Sequence, residues 1–91
     1  MIAEIYTSSF CGYCLLAKNI FKNKNITFLE IILDSHPDKR TEMKRRSNGK
    51  TSVPQIFISG LYVGGHKELA ILERNGGLDS GSFNKNSNSN G

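Results

Sequence analysis

Long apolar runs are what this chain most plainly lacks. No stretch of its 91 residues approaches the ~18 apolar residues of a membrane-spanning helix, so no membrane role is expected. Cysteine is scarce too. There are two, and both lie in Cys11-Gly12-Tyr13-Cys14. In a secreted mini-protein such a pair reads as one structural staple, but in a cytosolic chain it reads as redox-active or metal-binding. Histidine is limited to His36 and His66, far apart and not at knuckle spacing, which leaves intramolecular zinc short of ligands. Tryptophan is absent, and the basic residues are not interleaved with aromatics, so no nucleic-acid platform is expected.

What is present suits a small globular protein. Hydrophobic residues make up 37% and charged residues 22%, within the ordinary soluble range. A chain this short holds one domain and buries about two thirds of its unfolded surface. The first residues alternate in character and then reach a turn, unlike a signal peptide, so the expected compartment is the cytoplasm. Net charge is +4, with basic residues clustered at Lys39-Arg40 and Lys44-Arg45-Arg46. That cluster reads as a solvated helix face or as a site for a small carboxylate-bearing anion.

Periodicity places these features. Ile2–Tyr6 alternates and is β-branched, a strand pattern. Thr7-Ser8-Ser9 supplies turn and N-cap chemistry. Leu15, Leu16, Ala17, Ile20 and Phe21 then follow at helical spacing, so a helix is expected from near Cys11 to about Asn23. The apolar run Ile26–Leu33 predicts a strand buried on both faces and parallel to the first. Asp34-Ser35-His36-Pro37 is a turn, with Pro37 placed to open a helix that Ser47-Asn48-Gly49 closes. Gln55–Ile58 and Leu61–Val63 read as a hairpin about Ser59-Gly60. A last helix is expected from His66 to about Asn75, with Leu69, Ile71 and Leu72 toward the core and Gly76-Gly77 as its stop. The order is βαβαββα, an α/β design on a four-stranded mixed sheet flanked by helices. The Ser/Asn/Gly-rich tail, residues 81–91, cannot bury enough apolar surface to order itself.

The chemistry follows from placement. Cys11 falls where a strand hands over to a helix, so unpaired N–H groups and the positive dipole end favour an anion at its sulfur. The thiolate is the nucleophile. Favouring it by ~4 kcal/mol exceeds the roughly 0.3–2 kcal/mol of a helix dipole, so charge-assisted hydrogen bonds must add to it. Lys18 is the one cation close by in sequence. Cys14, three residues on, faces the same side, which fits a more buried, resolving thiol. Inert core cysteines or half a zinc site remain the alternatives. Two other segments stand out. Ser52-Val53-Pro54 is either a simple strand start or, if Pro54 is cis, a segment that exposes the Val53 backbone to an extended peptide. Gly64-Gly65 before His66 is either a plain turn or a place for close ligand approach. His66 reads as a surface histidine or a catalytic one.

Together, Cys11-Gly12-Tyr13-Cys14, Ser52-Val53-Pro54-Gln55-Ile56-Phe57-Ile58 and Gly64-Gly65 resemble the glutaredoxins, in order and spacing, from Ile2 to about Leu78. The resemblance implies a thioredoxin fold over residues 1–80. It also implies reduction of protein disulfides and glutathione mixed disulfides, with glutathione as co-substrate. Cys11 would attack and Cys14 resolve. Glutathione would meet Tyr13, Arg40, Ser52, the Val53 backbone beside cis-Pro54, and the Gly65-His66 turn. The implied partners are disulfide-containing or glutathionylated proteins, with the chain a monomer. Thioredoxins proper carry a Trp before the motif, which is missing here. The chain departs from the usual pattern in having Gly12 for proline, Ser8 for lysine, Lys67-Glu68 for two aspartates, and a loop at Ser47–Thr51 that is longer by one residue. Relatives without that proline can form dimers bridging a [2Fe–2S] cluster through the first cysteine and glutathione, so an iron–sulfur carrier is the alternative that Gly12 raises.

Overall fold

The computed structural model describes residues 2–79. The tail expected from residue 81 lies outside them. Four strands and three helices follow one another as β1 (Ile2–Thr7), α1 (Gly12–Asn23), β2 (Thr27–Ile32), α2 (Lys39–Arg46), β3 (Gln55–Ile58), β4 (Leu61–Gly64) and α3 (His66–Arg74). The sheet order is β2-β1-β3-β4. β1 and β2 run parallel, while β3 is antiparallel to both β1 and β4. The expected mixed sheet and βαβαββα order are both present, in an open sheet of the thioredoxin-like class.

Side-chain alternation along β1 divides the core. Ala3 and Ile5 point to one face, where Ala17 and Phe21 of α1, Leu69 of α3, Ile56, Ile58 and Leu78 close around them. Tyr6 points to the other face and meets Leu33, Phe57 and Met43 of α2. Phe21 stacks on Phe28 with ring centroids 5.5 Å apart, which ties α1 to β2.

Several expectations are corrected. β2 is an edge strand. Thr27 is exposed and Leu29 is 57% exposed, so the apolar run is not buried on both faces. The run marks a parallel strand correctly, but a strand with one neighbour keeps an open flank. Ile71 lies on the exposed side of α3, and Leu78, beyond the helix, fills the core instead. α2 begins at Lys39 rather than at Pro37, which belongs to the turn: the Arg40 N–H donates to the Pro37 carbonyl at 3.2 Å.

The basic cluster on α2 is divided in use. The Arg46 guanidinium forks onto Glu4 at 2.8 and 3.1 Å, donates to the Tyr6 hydroxyl at 2.8 Å, and covers the Phe57 ring at 4.0 Å. Lys39 donates to Glu42 at 3.1 Å. Arg46 thus ties α2 to the sheet, Lys39 pairs within α2, and Lys44 and Arg45 face solvent.

Candidate active site

The turn between β1 and α1 ends on Phe10, which adopts the left-handed region (φ 58), and on Cys11 in extended geometry (φ −116, ψ 107). Cys11 itself is the N-cap of α1. The Cys14 N–H donates to its Sγ at 3.2 Å, the bond that a serine or aspartate oxygen makes at an ordinary cap. Ser8 and Ser9, the more conventional capping residues, lie too early to do it. The first turn of α1 contains no acidic residue, so the sulfur has the helix's positive end to itself.

Cys11 and Cys14 are both free thiols in very different surroundings. Cys11 is partly exposed, whereas Cys14 is 2% exposed. Burial pushes the Cys14 thiol up to about 12, and its hydrogen bond to Cys11 pushes the same way. One sulfur is reachable, and the other stays protonated until something changes around it.

A groove of about 660 Å³ runs beside this turn between the β3–β4 hairpin and the start of α3. Tyr13, 64% exposed, forms the wall that the groove shares with the C-x-x-C turn. Its ring stacks on His66 with centroids 5.2 Å apart, so His66 is a wall residue here. Ser52, Val53, Pro54, Gly64 and Gly65 also line the groove. The Val53–Pro54 peptide is cis. The Gln55 side chain fixes the approach to it, donating to the Ser52 carbonyl at 3.1 Å and accepting from the Tyr62 hydroxyl at 2.6 Å.

The two glycines at the start of α3 differ in how closely they are approached. Gly64 has φ 126, and a Cβ there would lie 2.8 Å from Glu68 Cγ. A Cβ on Gly65 would lie 3.3 Å from the Pro54 carbonyl oxygen. The Gly65 N–H is already taken: it donates to Glu68 Oε1 at 2.8 Å, and that bond holds the Glu68 carboxyl below the usual range. A ligand carboxylate at this turn would therefore have to use the N–H groups beyond Gly65.

The structure brings Tyr13, Ser52, Val53, Pro54, Gly65 and His66 to one groove. Arg40 does not line it. Its guanidinium donates to the Thr51 carbonyl at 3.3 Å, next to Ser52 on the rim. Lys50, Tyr62 and Lys67 do line the groove, and sequence reasoning missed them as site residues. Lys67 had a signal, since it directly follows Gly64-Gly65-His66. Lys50 and Tyr62 reach the groove only through the loop and hairpin geometry.

A second cavity of about 420 Å³ lies on the other side of Cys11, between α1 and β2, and both cysteines line it. Among the described residues no group of three or more His, Cys, Asp or Glu side chains is placed to hold a metal ion. A [2Fe–2S] cluster takes four ligands. The described residues of one chain offer one partly exposed sulfur, Cys11, so the remaining ligands would have to come from a second chain and from glutathione.

The fold agrees with what known proteins show. The glutaredoxin family model matches residues 3–63. The chain is 46% identical to glutaredoxin 3 of Escherichia coli K12 over 76 residues, covering 84% of this chain and 90% of that one.

The chain belongs to the glutaredoxin family.

It is 45% identical to a glutaredoxin of Pseudomonas aeruginosa, covering 84% of this chain and 89% of the other. The solution structure of a Brucella melitensis glutaredoxin superposes with a TM-score of 0.76 at 40% identity, covering 93% and 92% of the two chains. A buckwheat glutaredoxin–glutathione complex superposes with a TM-score of 0.76 at 26% identity, covering 84% and 71%. Membership makes thiol–disulfide oxidoreductase chemistry the activity of this glutaredoxin-family chain. No helix among the described residues is long and apolar enough to cross a membrane.

Proposed function

We propose that this chain reduces protein disulfides and glutathione mixed disulfides with glutathione as the electron donor, acting as a cytoplasmic monomer. The contrast between its two thiols carries the reading: a partly exposed sulfur that caps α1, and a buried thiol pushed up to about 12. In this scheme the Cys11 thiolate attacks a substrate disulfide, and one substrate sulfur leaves with the electron pair and takes up a proton. The other substrate sulfur remains bonded to Cys11. When that sulfur belongs to glutathione, a second glutathione thiolate attacks it, and the Cys11 thiol is restored as glutathione disulfide forms. When it belongs to a protein, Cys14 attacks Cys11 and expels the protein thiol. Glutathione then reduces the Cys11–Cys14 disulfide.

The groove supports glutathione as the ligand, since it offers a flat aromatic wall, an extended backbone and two cations. Tyr13 would lie along the tripeptide, and the Val53 backbone beside Pro54 would pair with its cysteinyl unit. Ser52 and the Thr51 segment held by Arg40 would form one end. Gly65, His66 and the start of α3 would form the other. Lys50 and Lys67 add positive charge for the carboxylates. That the buckwheat relative was solved as a glutathione complex supports the same ligand here.

The test separates the two sulfurs. Cys11→Ser removes both activities, a loss of more than about a thousandfold as for other removed nucleophiles. Cys14→Ser keeps removal of glutathione from a glutathionylated peptide and loses reduction of a protein disulfide. Both are read by coupling to glutathione reductase. An active Cys11→Ser with an inactive Cys14→Ser would reverse the roles.

A further inference from the structure

The smaller cavity contains charges that the scheme above leaves unused. Its titratable lining is Cys11, Cys14, Lys18 and Glu30. Lys18 follows Cys14 by four residues on α1, so it lies one turn on along the same face. Its ammonium donates to Glu30 Oε2 on β2 at 2.9 Å. The Thr7 hydroxyl on β1, itself fully buried, donates to the same oxygen at 2.8 Å. The two charged side chains are only 23% and 25% exposed. A pair desolvated to that degree contributes little to stability, because desolvation offsets its Coulomb energy. Its position beside a buried thiol is its distinctive feature.

We propose that the Lys18–Glu30 pair is a positioning device for the resolving step, in which the Lys18 cation favours the Cys14 thiolate and Glu30 sets how much of that charge reaches it. The inference rests on the roles proposed above for Cys11 and Cys14. In the reduced protein, burial and the Cys11 sulfur both oppose ionisation of Cys14, while the Ser8 backbone and the Lys18 charge favour it. Once Cys11 is bonded to a substrate sulfur it carries no charge. Burial then remains as the main obstacle, and Lys18 as the cation acting against it. In the step itself the Cys14 proton passes to bulk water and a bond forms between Cys14 Sγ and Cys11 Sγ. The bond from Cys11 Sγ to the substrate sulfur breaks, and the substrate sulfur leaves with the electron pair and takes a proton from water. The two cysteines end oxidised and the substrate reduced. Deglutathionylation by Cys11 and free glutathione skips this step, so it does not depend on the pair.

The experiment measures glutathione-dependent reduction of a disulfide-bonded protein against pH for the wild type, Lys18→Gln, Lys18→Arg and Glu30→Gln. Circular dichroism confirms the fold of each variant. Lys18→Gln and wild type are also compared in a Cys14→Ser background on a glutathionylated peptide. Lys18→Gln is expected to move the alkaline rise in rate upward by about 0.5–1 pH unit, a slowing of about three- to tenfold at neutral pH. Lys18→Arg restores the wild-type profile, and Glu30→Gln, by freeing the cation, moves it downward. In the Cys14→Ser background Lys18→Gln has no effect. Shifts of the same sign in Lys18→Gln and Glu30→Gln would overturn the proposal, since a merely structural pair gives that result. An equal slowing in the Cys14→Ser background would also overturn it by moving the action of Lys18 to Cys11. If Cys14→Ser alone left protein-disulfide reduction intact, the assigned roles would fall, and the proposal with them.

Discussion

Helices α1 and α3 begin under the same constraint and meet it in opposite ways. Each starts with backbone N–H groups that have no partner inside the helix, and each lies against one wall of the groove. α3 satisfies its first donor with its own carboxylate, Glu68 reaching back to the Gly65 N–H. α1 has no acid in its first turn and gives the Cys14 N–H to a sulfur, Cys11 Sγ. A carboxylate at a helix start is an inert anion that stabilises the turn. A cysteine sulfur in the same place is a reactive one, and the donors that would steady a carboxylate steady a thiolate instead. The groove thus has a fixed wall, built on Gly64, Gly65 and Glu68, and a reactive one where Tyr13 lines it and Cys11 sits on the adjoining turn, outside the lining.

The fixed wall should break hardest at Gly64. Its φ of 126 suits glycine, and the missing Cβ is where Glu68 packs. Gly64→Ala is expected to destabilise the protein by about 2–3 kcal/mol, combining backbone strain with displacement of the Glu68 side chain. Urea denaturation measures this, with an unchanged m-value showing that stability alone has moved. A loss below about 0.5 kcal/mol, the usual scatter of surface substitutions, would mean that the turn is not fixed by this contact.

Removing the carboxylate itself is a milder intervention. Glu68→Ala should lower stability by about 1 kcal/mol, the typical worth of a helix-start cap. The effect has a sign in pH. The Gly65 N–H holds the Glu68 carboxyl below its ordinary value, so the folded state binds its proton less readily than the unfolded state. The stabilisation is therefore full above the ordinary carboxylate range and is lost as pH falls through the lowered folded value. Wild type and Glu68→Ala should differ at neutral pH and converge in acid. A difference that persisted unchanged in acid would assign the effect to packing on Gly64 rather than to charge.

Local chemistry was readable in the sequence where one short segment decides it. The C-x-x-C at a strand-to-helix junction, the proline opening β3 and the glycine pair before α3 each depend on residues within a few positions. Their placement around one groove followed from the βαβαββα order. Features decided by distant partners were not readable. Ile26–Leu33 has the composition of a buried strand, and only the order β2-β1-β3-β4 makes it an edge. Ile71 and Leu72 fit the same helical pattern, and the packing of α3 against α1, β3 and β4 turned Leu72 toward the core, with Leu78 joining it from beyond the helix. The sulfur of Cys11 was expected at the helix start among unpaired N–H groups, and the Cys14 N–H does meet it; the expectation that failed is that of Ser8 and Ser9 as caps. The positive φ of Phe10 carries the chain past them and delivers the sulfur to the helix start.

The reactive wall can be turned toward the fixed one at Gly12, the first residue of α1. A Cβ there would meet nothing within 4 Å, so a side chain enters without repacking. Gly12→Asp places a carboxylate at the start of α1, as Glu68 does for α3. Two opposite results are expected from one substitution. The helix gains about 0.3–1 kcal/mol from a favourable charge at its positive end and from loss of glycine flexibility. The Cys11 thiolate meets a like charge and competes with it for the same donors, so alkylation of Cys11 by iodoacetamide at neutral pH should slow by about two- to fivefold. Gly12→Ala separates the contributions: it should share the gain in stability and leave the alkylation rate nearly unchanged. Equal slowing by Ala and Asp would mean that backbone freedom at Gly12, rather than the uncompensated positive end of α1, sets the reactivity of Cys11. The contrast between the two helix starts would then be one of flexibility instead of charge.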